Sequence, residues 1–320
     1  MDRKIIFKNR ASSVIFEFIR SIKKKGVLLL PANICPIVPL TFMKAKIEFE
    51  FIDIELDTFC CDFKEVEEKI RKNKNIIGLL FVNAYGIEKD FSNNFKKLRD
   101  LNKELIIIHD KCLSYPDFSH QDSLADLTVY STGQAKVVNI GYGGFGILHN
   151  TNFELKNIDF SYNEQDYIKI YKAYKKTLIT NKKFNYIENE WLDLREPLLN
   201  FSEYQKIVSE KINEIKLKKN QLNDLYEKGI DKKFKTFYPQ NNWRYIILLD
   251  NSDAVIKKIF EQKLFASQHY KSLVDLFGNG NGKNAKKLEK EVINLFNDFC
   301  FDELKVRKII KLINEHGRKK

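Results

Sequence analysis

Five short apolar runs, spaced mostly by stretches of helical character, most constrain how this chain folds. They are VLLLP at 27–31, IEFEFIDI at 47–54, NIIGLLFVN at 75–83, ELIIIHD at 104–110 and DLTVYS at 126–131. Each is too short for a core helix. Most are apolar almost without a break, the pattern of strands whose sheet is covered on both faces. The segments between them differ in period. In SSVIFEFIRSI, Val14, Phe18 and Ile22 fall at i, i+4 and i+8, and Phe63 to Lys72 and Phe91 to Asn102 also read as helices. Strands alternating with helices predict a largely parallel α/β sheet.

From Tyr204 the texture changes. EYQKIVSEKINEIKLKKNQLNDLYEKG reads as one long charged helix closed by Gly229 as its C-terminal cap. Beyond it lie a strand candidate, WRYIILLD (243–250), two helical stretches and a glycine-rich segment, FGNGNGKN (277–284), that reads as a flexible loop. The basic HGRKK at the C-terminus reads as a frayed tail. The expected division is therefore a large domain over 1–203, and a long linking helix with a smaller domain over 204–320, sizes that 320 residues accommodate.

Several function classes recede. The most apolar stretch, Val27 to Met43, is interrupted by Pro31, Pro36 and Pro39 and falls short of the ~20 residues a membrane helix needs. MDRKIIFKNR has no apolar secretory block, so a cytoplasmic location is expected. Cys35, Cys60, Cys61, Cys112 and Cys300 form no CxxC pair and have no histidines at zinc spacing, so no structural metal is expected. The net charge of +12 would suit a phosphate-rich partner. Yet the lysines alternate with Asn and Glu in helical stretches and form no aromatic platform, so a nucleic-acid partner is not expected.

The chemistry is concentrated at strand ends, where parallel sheets bind ligands. ELIIIHD ends on Asp110 and DLTVYS on Ser131; Lys136 follows five residues later in STGQAK, and then the glycine cluster GYGGFG. Singly, these have structural explanations, as a helix cap or a solvated loop residue. Together they supply what pyridoxal phosphate (PLP) requires. The amine of Lys136 holds the cofactor, and the Asp110 carboxylate keeps the pyridine nitrogen protonated. A hydroxyl and a helix N-terminus hold the phosphate. GYGGFG also spells GxGxxG, but the strand-like FGILHN follows it where a dinucleotide site needs a helix.

On these residues the chain resembles the DegT/DnrJ/EryC1/StrS family of sugar aminotransferases. ADLTVYSTGQAKVVNIGYGG (125–144) carries the strongest likeness. RASSVIF (10–16), Leu29 to Ile54, LLFVNAYG (79–86), IIHDKC (107–112), NFSEYQ (200–205) and QHYKSL (268–273) follow the family's order. The resemblance implies an α/β, fold-type-I PLP enzyme. Its large domain would carry a mostly parallel seven-stranded sheet beside a smaller C-terminal α+β domain, in a homodimer with shared sites. It also implies roles. Lys136 and Asp110 are catalytic. Ser131, Ala11, Ser12, Cys35 and Asn200 bind cofactor, with Asn200 reaching the neighbouring subunit's phosphate while also fitting as a helix cap. His269 and Asn83 border the substrate. The implied reaction moves an amino group from an amino acid, glutamate being expected, to a nucleotide-linked ketosugar. Cys35 stands where the family commonly stacks an aromatic ring on PLP. Leu113 replaces a Gln or His, Asn83 a frequent His, and Tyr142 a Glu. These departures leave open a sugar dehydratase or lyase, or a cofactor-binding protein without catalysis. Retention of Lys136 argues against the deoxygenating branch, which has a histidine there.

Overall fold

The computed structural model describes residues 4–119, 123–155, 161–239 and 242–319. The chain opens with β1 (Lys4–Lys8) and α1 (Ala11–Ser21). The five apolar runs then become β2 (Val27–Pro31), β3 (Glu48–Ile52), β4 (Ile76–Val82), β5 (Ile106–Asp110) and β6 (Leu127–Ser131). Between them lie α2 (Ile37–Ala45), α3 (Phe63–Lys72) and α4 (Ser92–Leu101), and β7 (Gly144–Leu148) follows the glycine cluster. All seven strands form one sheet in the order β1-β7-β6-β5-β4-β2-β3. β6, β5, β4, β2 and β3 are mutually parallel, and β7 alone is reversed, pairing antiparallel with both β6 and β1. Every residue of β5, β6 and β7 is buried, which is why their sequences carry no alternation. Parallel order also sends the ends of β5 and β6, with Asp110 and Ser131, to the same side of the sheet.

After α5 (Glu164–Thr180) comes α6 (Phe201–Gly229), 29 residues long. Its buried residues include Tyr204, Val208, Ile215, Leu222 and Tyr226, a stripe at spacings of four and seven. The first three pack with Tyr130, Phe145 and Ile147 of the large sheet. The last two join a separate core with Tyr245, Ile309 and Ile313. That second core surrounds a three-stranded antiparallel sheet of β8 (Tyr245–Leu248), β9 (Ala266–Ser267) and β10 (Val292–Leu295) in the order β8-β10-β9. It is covered by α7 (Ser252–Glu261), α8 (Lys283–Glu291) and α9 (Glu303–His316).

Four expectations for the C-terminal region are corrected. Three helices follow β8, not two. Gly229 is the last residue of α6 rather than a left-handed cap. A Cβ there would lie 2.8 Å from Ile310 Cδ1, so its role is to let α9 approach. The glycine-rich segment is not free. Phe51 donates its N–H to Asn279 O at 2.9 Å, and Asn281 returns one to Phe51 O at 3.0 Å, strapping the segment to the edge strand β3. Gly280 is obligatory at that crossing. Its φ is +144° and a Cβ would sit 2.1 Å from Phe51 O. The strap runs into α8, whose Asn284 and Ala285 N–H groups donate to the Asp53 carboxylate at 2.7 and 3.0 Å. The tail is tied as far as Arg318, whose N–H donates to Asn251 and whose carbonyl accepts from Asp250.

Candidate active site

Asp110 ends β5 with its side chain buried. Oδ1 accepts the Cys112 N–H at 2.8 Å, and Oδ2 has no partner among the described residues. The Cys112 thiol lies close to the same carboxylate, and an oxygen not taken up by a backbone bond is available to a donor or cation. Ser131 ends β6, and its Oγ receives only a long 3.4 Å bond from Gly133 N–H. It pairs in register with Gly144 at the start of β7. A Cβ on Gly144 would lie 2.3 Å from Ala11 N, so this glycine lets the start of α1 approach the end of β6. Arg10 precedes α1 without a side-chain cap, and the Ala11 and Ser12 N–H groups have no acceptor among the described residues. Two open amides at a helix N-terminus, beside two serine hydroxyls, form a cradle for a phosphate dianion.

Lys136 lies in the turn after β6. Its N–H donates to Gly133 O at 3.3 Å, and its ammonium makes no hydrogen bond or ion pair among the described residues. The preceding Ala135 adopts φ +59°, an unfavourable conformation for alanine. The Trp243 indole N–H donates to Ala135 O at 2.6 Å and fixes that turn. Charge interactions locate the amine. Burial raises the Cys35 and Cys112 thiols, while the Lys136 ammonium pulls both back and Asp110 pushes both up. Cys35, just ahead of α2, therefore lies within electrostatic range of Lys136 and Asp110. A thiol there can pack against a ring but cannot stack on it.

His269 and Tyr270 enter from the smaller sheet. Tyr85 Oη donates to His269 O at 2.6 Å and accepts from Tyr270 N–H at 3.2 Å. The Trp243 and Tyr270 rings stack at 6.0 Å, and Tyr85 stacks on both. Burial, then the Arg244 and Lys175 charges, holds the His269 imidazole down at about 4. It is neutral at ordinary pH.

Two other sequence candidates are placed differently. Asn83 sits beside Asp110, its N–H donating to Asp110 O at 3.0 Å. Its side chain turns inward, with Oδ1 2.6 Å from His109 Nε2 and Nδ2 donating to Ile87 O at 3.0 Å. Because Oδ1 is an acceptor, His109 donates from Nε2. Burial pushes that imidazole down to about 3. Asn83 thus braces Asp110's strand end and presents no polar atom to the cofactor space. Asn200 caps α6 in a capping box, accepting from Glu203 N–H at 3.0 Å while its own N–H donates to Glu203 at 3.1 Å. The side chain is exposed, and its Nδ2 has no partner among the described residues. Leu113 is simply core.

The residues present fit PLP. An open carboxylate oxygen suits the pyridine N–H, an unpaired lysine amine suits the aldehyde carbon, and the serine and amide cradle suits the phosphate. Sequence reasoning singled out the segment QHYKSL, which carries Tyr270, but missed Trp243, Arg244 and Lys175, which come from distant segments. Of these, Trp243 and Arg244, heading an apolar strand, left a trace in the sequence. Among the described residues no cluster of side chains suits a metal, and no helix is long and apolar enough to cross a membrane.

Fold and site together define an α/β transferase of the aminotransferase type. The chain belongs to the DegT/DnrJ/EryC1/StrS aminotransferase family, whose model matches residues 41–313. No curated protein sequence matches it. Solved structures are similar at low identity. The sugar aminotransferase CalS13 from Micromonospora echinospora is 11% identical with TM-score 0.70, over 98% of this chain and 87% of that one. DesI, crystallised in the presence of its TDP-sugar product, is 13% identical with TM-score 0.72, over 98% and 80%. The E. coli GDP-4-keto-6-deoxy-D-mannose-3-dehydratase with bound hydrated PLP is 11% identical with TM-score 0.65, over 96% and 87%.

Proposed function

We propose that this protein is a PLP-dependent aminotransferase that moves an amino group from glutamate to a nucleotide-linked ketosugar, working as a cytoplasmic homodimer. The observation that carries the reading is the convergence of Asp110 Oδ2, the Lys136 amine and the Ser131–Ala11–Ser12 cradle at adjacent strand ends. PLP supplies an electron sink for the carbanion formed at the donor's α-carbon. Asp110, buried with one oxygen open, keeps the ring nitrogen protonated. Ser131 and the Ala11 and Ser12 amides bind the phosphate and fix the ring's position. The Lys136 amine would hold the cofactor and would serve as the base for the proton on the donor's α-carbon. Trp243 orients that amine through Ala135 O. Cys35 packs on the ring, and His269, neutral and beside Trp243, borders the substrate. Asn83 acts on the substrate side only by bracing Asp110, whereas Asn200 reaches the partner subunit's phosphate through its free Nδ2. Support for the acceptor class comes from the family and from the TDP-sugar in DesI.

The test is spectroscopic. Purified protein should be yellow and lose its colour on adding glutamate, and a nucleotide ketosugar should restore it. Borohydride should fix the cofactor on the peptide containing Lys136. Label on another lysine would remove the assignment. Colour lost to no amino acid would favour the dehydratase or the non-catalytic alternative.

A further inference from the structure

The buried stripe of α6 contains one charge. Lys219 lies four residues after Ile215 and three before Leu222, where the spacing suits an apolar side chain, and it is only 3% exposed. Among the described residues no carboxylate lies within ion-pair distance of its ammonium. Burial holds the amine down to about 8, with Asp298 pulling it up and Arg244 pressing it down, so it is charged at pH 7. A buried ammonium without a carboxylate costs more than an apolar residue of its size unless hydrogen bonds offset it. Lys219 makes two. Nζ donates to Trp243 O at 2.8 Å and to Asn297 Oδ1 at 2.7 Å. Asn297 in turn donates from Nδ2 to Asn223 Oδ1 at 2.8 Å, one turn further along α6, which turns its own carbonyl oxygen toward the lysine.

Both acceptors lie just past the end of a ladder. β10 pairs with β8 from Val292↔Leu248 to Leu295↔Tyr245, and the same register carried two residues further sets Asn297 opposite Trp243. The Trp243 carbonyl accepts no backbone N–H among the described residues, so Lys219 closes that end of the smaller sheet from the side of α6. The Trp243 ring stacks with Tyr85 and Tyr270 at 6.2 and 6.0 Å, and the Arg244 guanidinium lies over it at 4.5 Å. Stacking fixes the plane of an indole but lets the ring slide within that plane. The bond from Lys219 to the main chain removes the slide. The indole N–H then meets Ala135 O at 2.6 Å, in a turn where Ala135 sits at φ +59° and needs an outside hold. We propose that Lys219 is a positioning residue for Lys136, acting through Trp243. It holds the Trp243 main chain where the indole N–H can pin Ala135, and so sets where the Lys136 amine points. A lysine suits the place because one compact ammonium on a long stem reaches acceptors on two separate segments. The assignment rests on the aminotransferase reading above.

A double-mutant cycle separates this role from a structural one. With the PLP-loaded protein, loss of colour at saturating glutamate is followed in a single turnover and expressed per folded, loaded site. Misplacing a reacting group by about 1 Å can cost about a hundredfold. Trp243→Phe, which removes the indole N–H, should therefore slow the step about ten- to a hundredfold. Lys219→Met keeps the indole but frees its main chain. It should slow the step about three- to thirtyfold and leave the half-saturating glutamate concentration within about threefold. Added to Trp243→Phe, it should slow the step by less than about threefold more, because its route to Lys136 is already cut. Lys219→Arg, which keeps the charge and the donors, should stay within about threefold of wild type. If Lys219→Met does not fold, Lys219→Gln, shorter and uncharged, takes its place in the cycle. A folded Met or Gln variant that reacts within about threefold of wild type overturns the proposal, as does an equal loss in both backgrounds. Failure of the wild-type protein to lose colour with any amino acid would instead remove the aminotransferase reading itself.

Discussion

Asp53→Ala tests how the glycine-rich strap and α8 are fixed to the large sheet. Asp53 is 5% exposed, and its two oxygens accept the Asn284 and Ala285 N–H groups at 2.7 and 3.0 Å. Gly282, at the N-cap position of α8, offers no side chain in their place. A helix cap alone contributes about 1 kcal/mol. Here the acceptor is charged, one amide is buried and the other half-buried, so removing it costs about 2–4 kcal/mol. With a factor of ten per ~1.4 kcal/mol, local opening of α8 becomes roughly thirty- to several-hundredfold more frequent. Hydrogen exchange of the segment from 279 to 291 reads this directly. Asp53→Asn keeps an acceptor without the charge and should accelerate exchange about half as much on a logarithmic scale. Exchange in Asp53→Ala within threefold of wild type would show that α8 is held by its apolar contacts and that the carboxylate is incidental.

Acid should destabilise the protein through its histidines. His109 and His269 are held down to about 3 and about 4, so their contribution is complete above the unfolded value of about 6.5 and is lost as pH falls toward 4. The urea midpoint should drop over that window, and His109→Gln should flatten the drop; an unchanged slope would exclude His109 as a source. Asn200→Ala should cost about 1 kcal/mol as a lost cap and, if its amide reaches the partner, weaken PLP binding about ten- to a hundredfold. Hybrids of Asn200→Ala and Lys136→Ala chains should regain activity, and inactive hybrids would confine Asn200 to its capping role.

The large sheet was legible because its central parallel strands β4, β5 and β6 are buried on both faces, and burial writes itself into consecutive apolar residues. The site was legible where one segment supplies several groups, as Ser131, Lys136 and the glycines do. What escaped depends on distant partners. β1, KIIFK, is half polar because it lies at an edge, and its strand character comes from pairing with β7. β10, VINL, is too short to stand out from the helix before it. FGNGNGKN has the composition of a free loop, and only the exposed edge of β3 turns it into a strap. Asn83 carried a plausible site position, but its inward orientation is set by His109, a residue whose role no spacing announces. Lys219 sits in a lysine-rich helix where one more charge reads as a solvated face; its burial is a property of three-dimensional neighbours alone.

The length of α6 has a mechanical consequence. Its 29 residues span about 43 Å at ~1.5 Å per residue, rooted at one end against Phe145 and at the other beside Tyr245. In its second half, Lys219 Nζ donates to the Trp243 main-chain O at 2.8 Å, tying the rod to the residue whose indole holds the Lys136 turn. A lever of that length turns a tilt of about three degrees at its root into about 2 Å of travel at its tip. A swing of that size at the smaller sheet would leave every hydrogen bond within the helix intact but would break the Tyr85–His269 and Trp243–Ala135 bonds that fasten the two domains. The rod's length thus makes those few cross-links the points that set the position of the smaller sheet against Asp110.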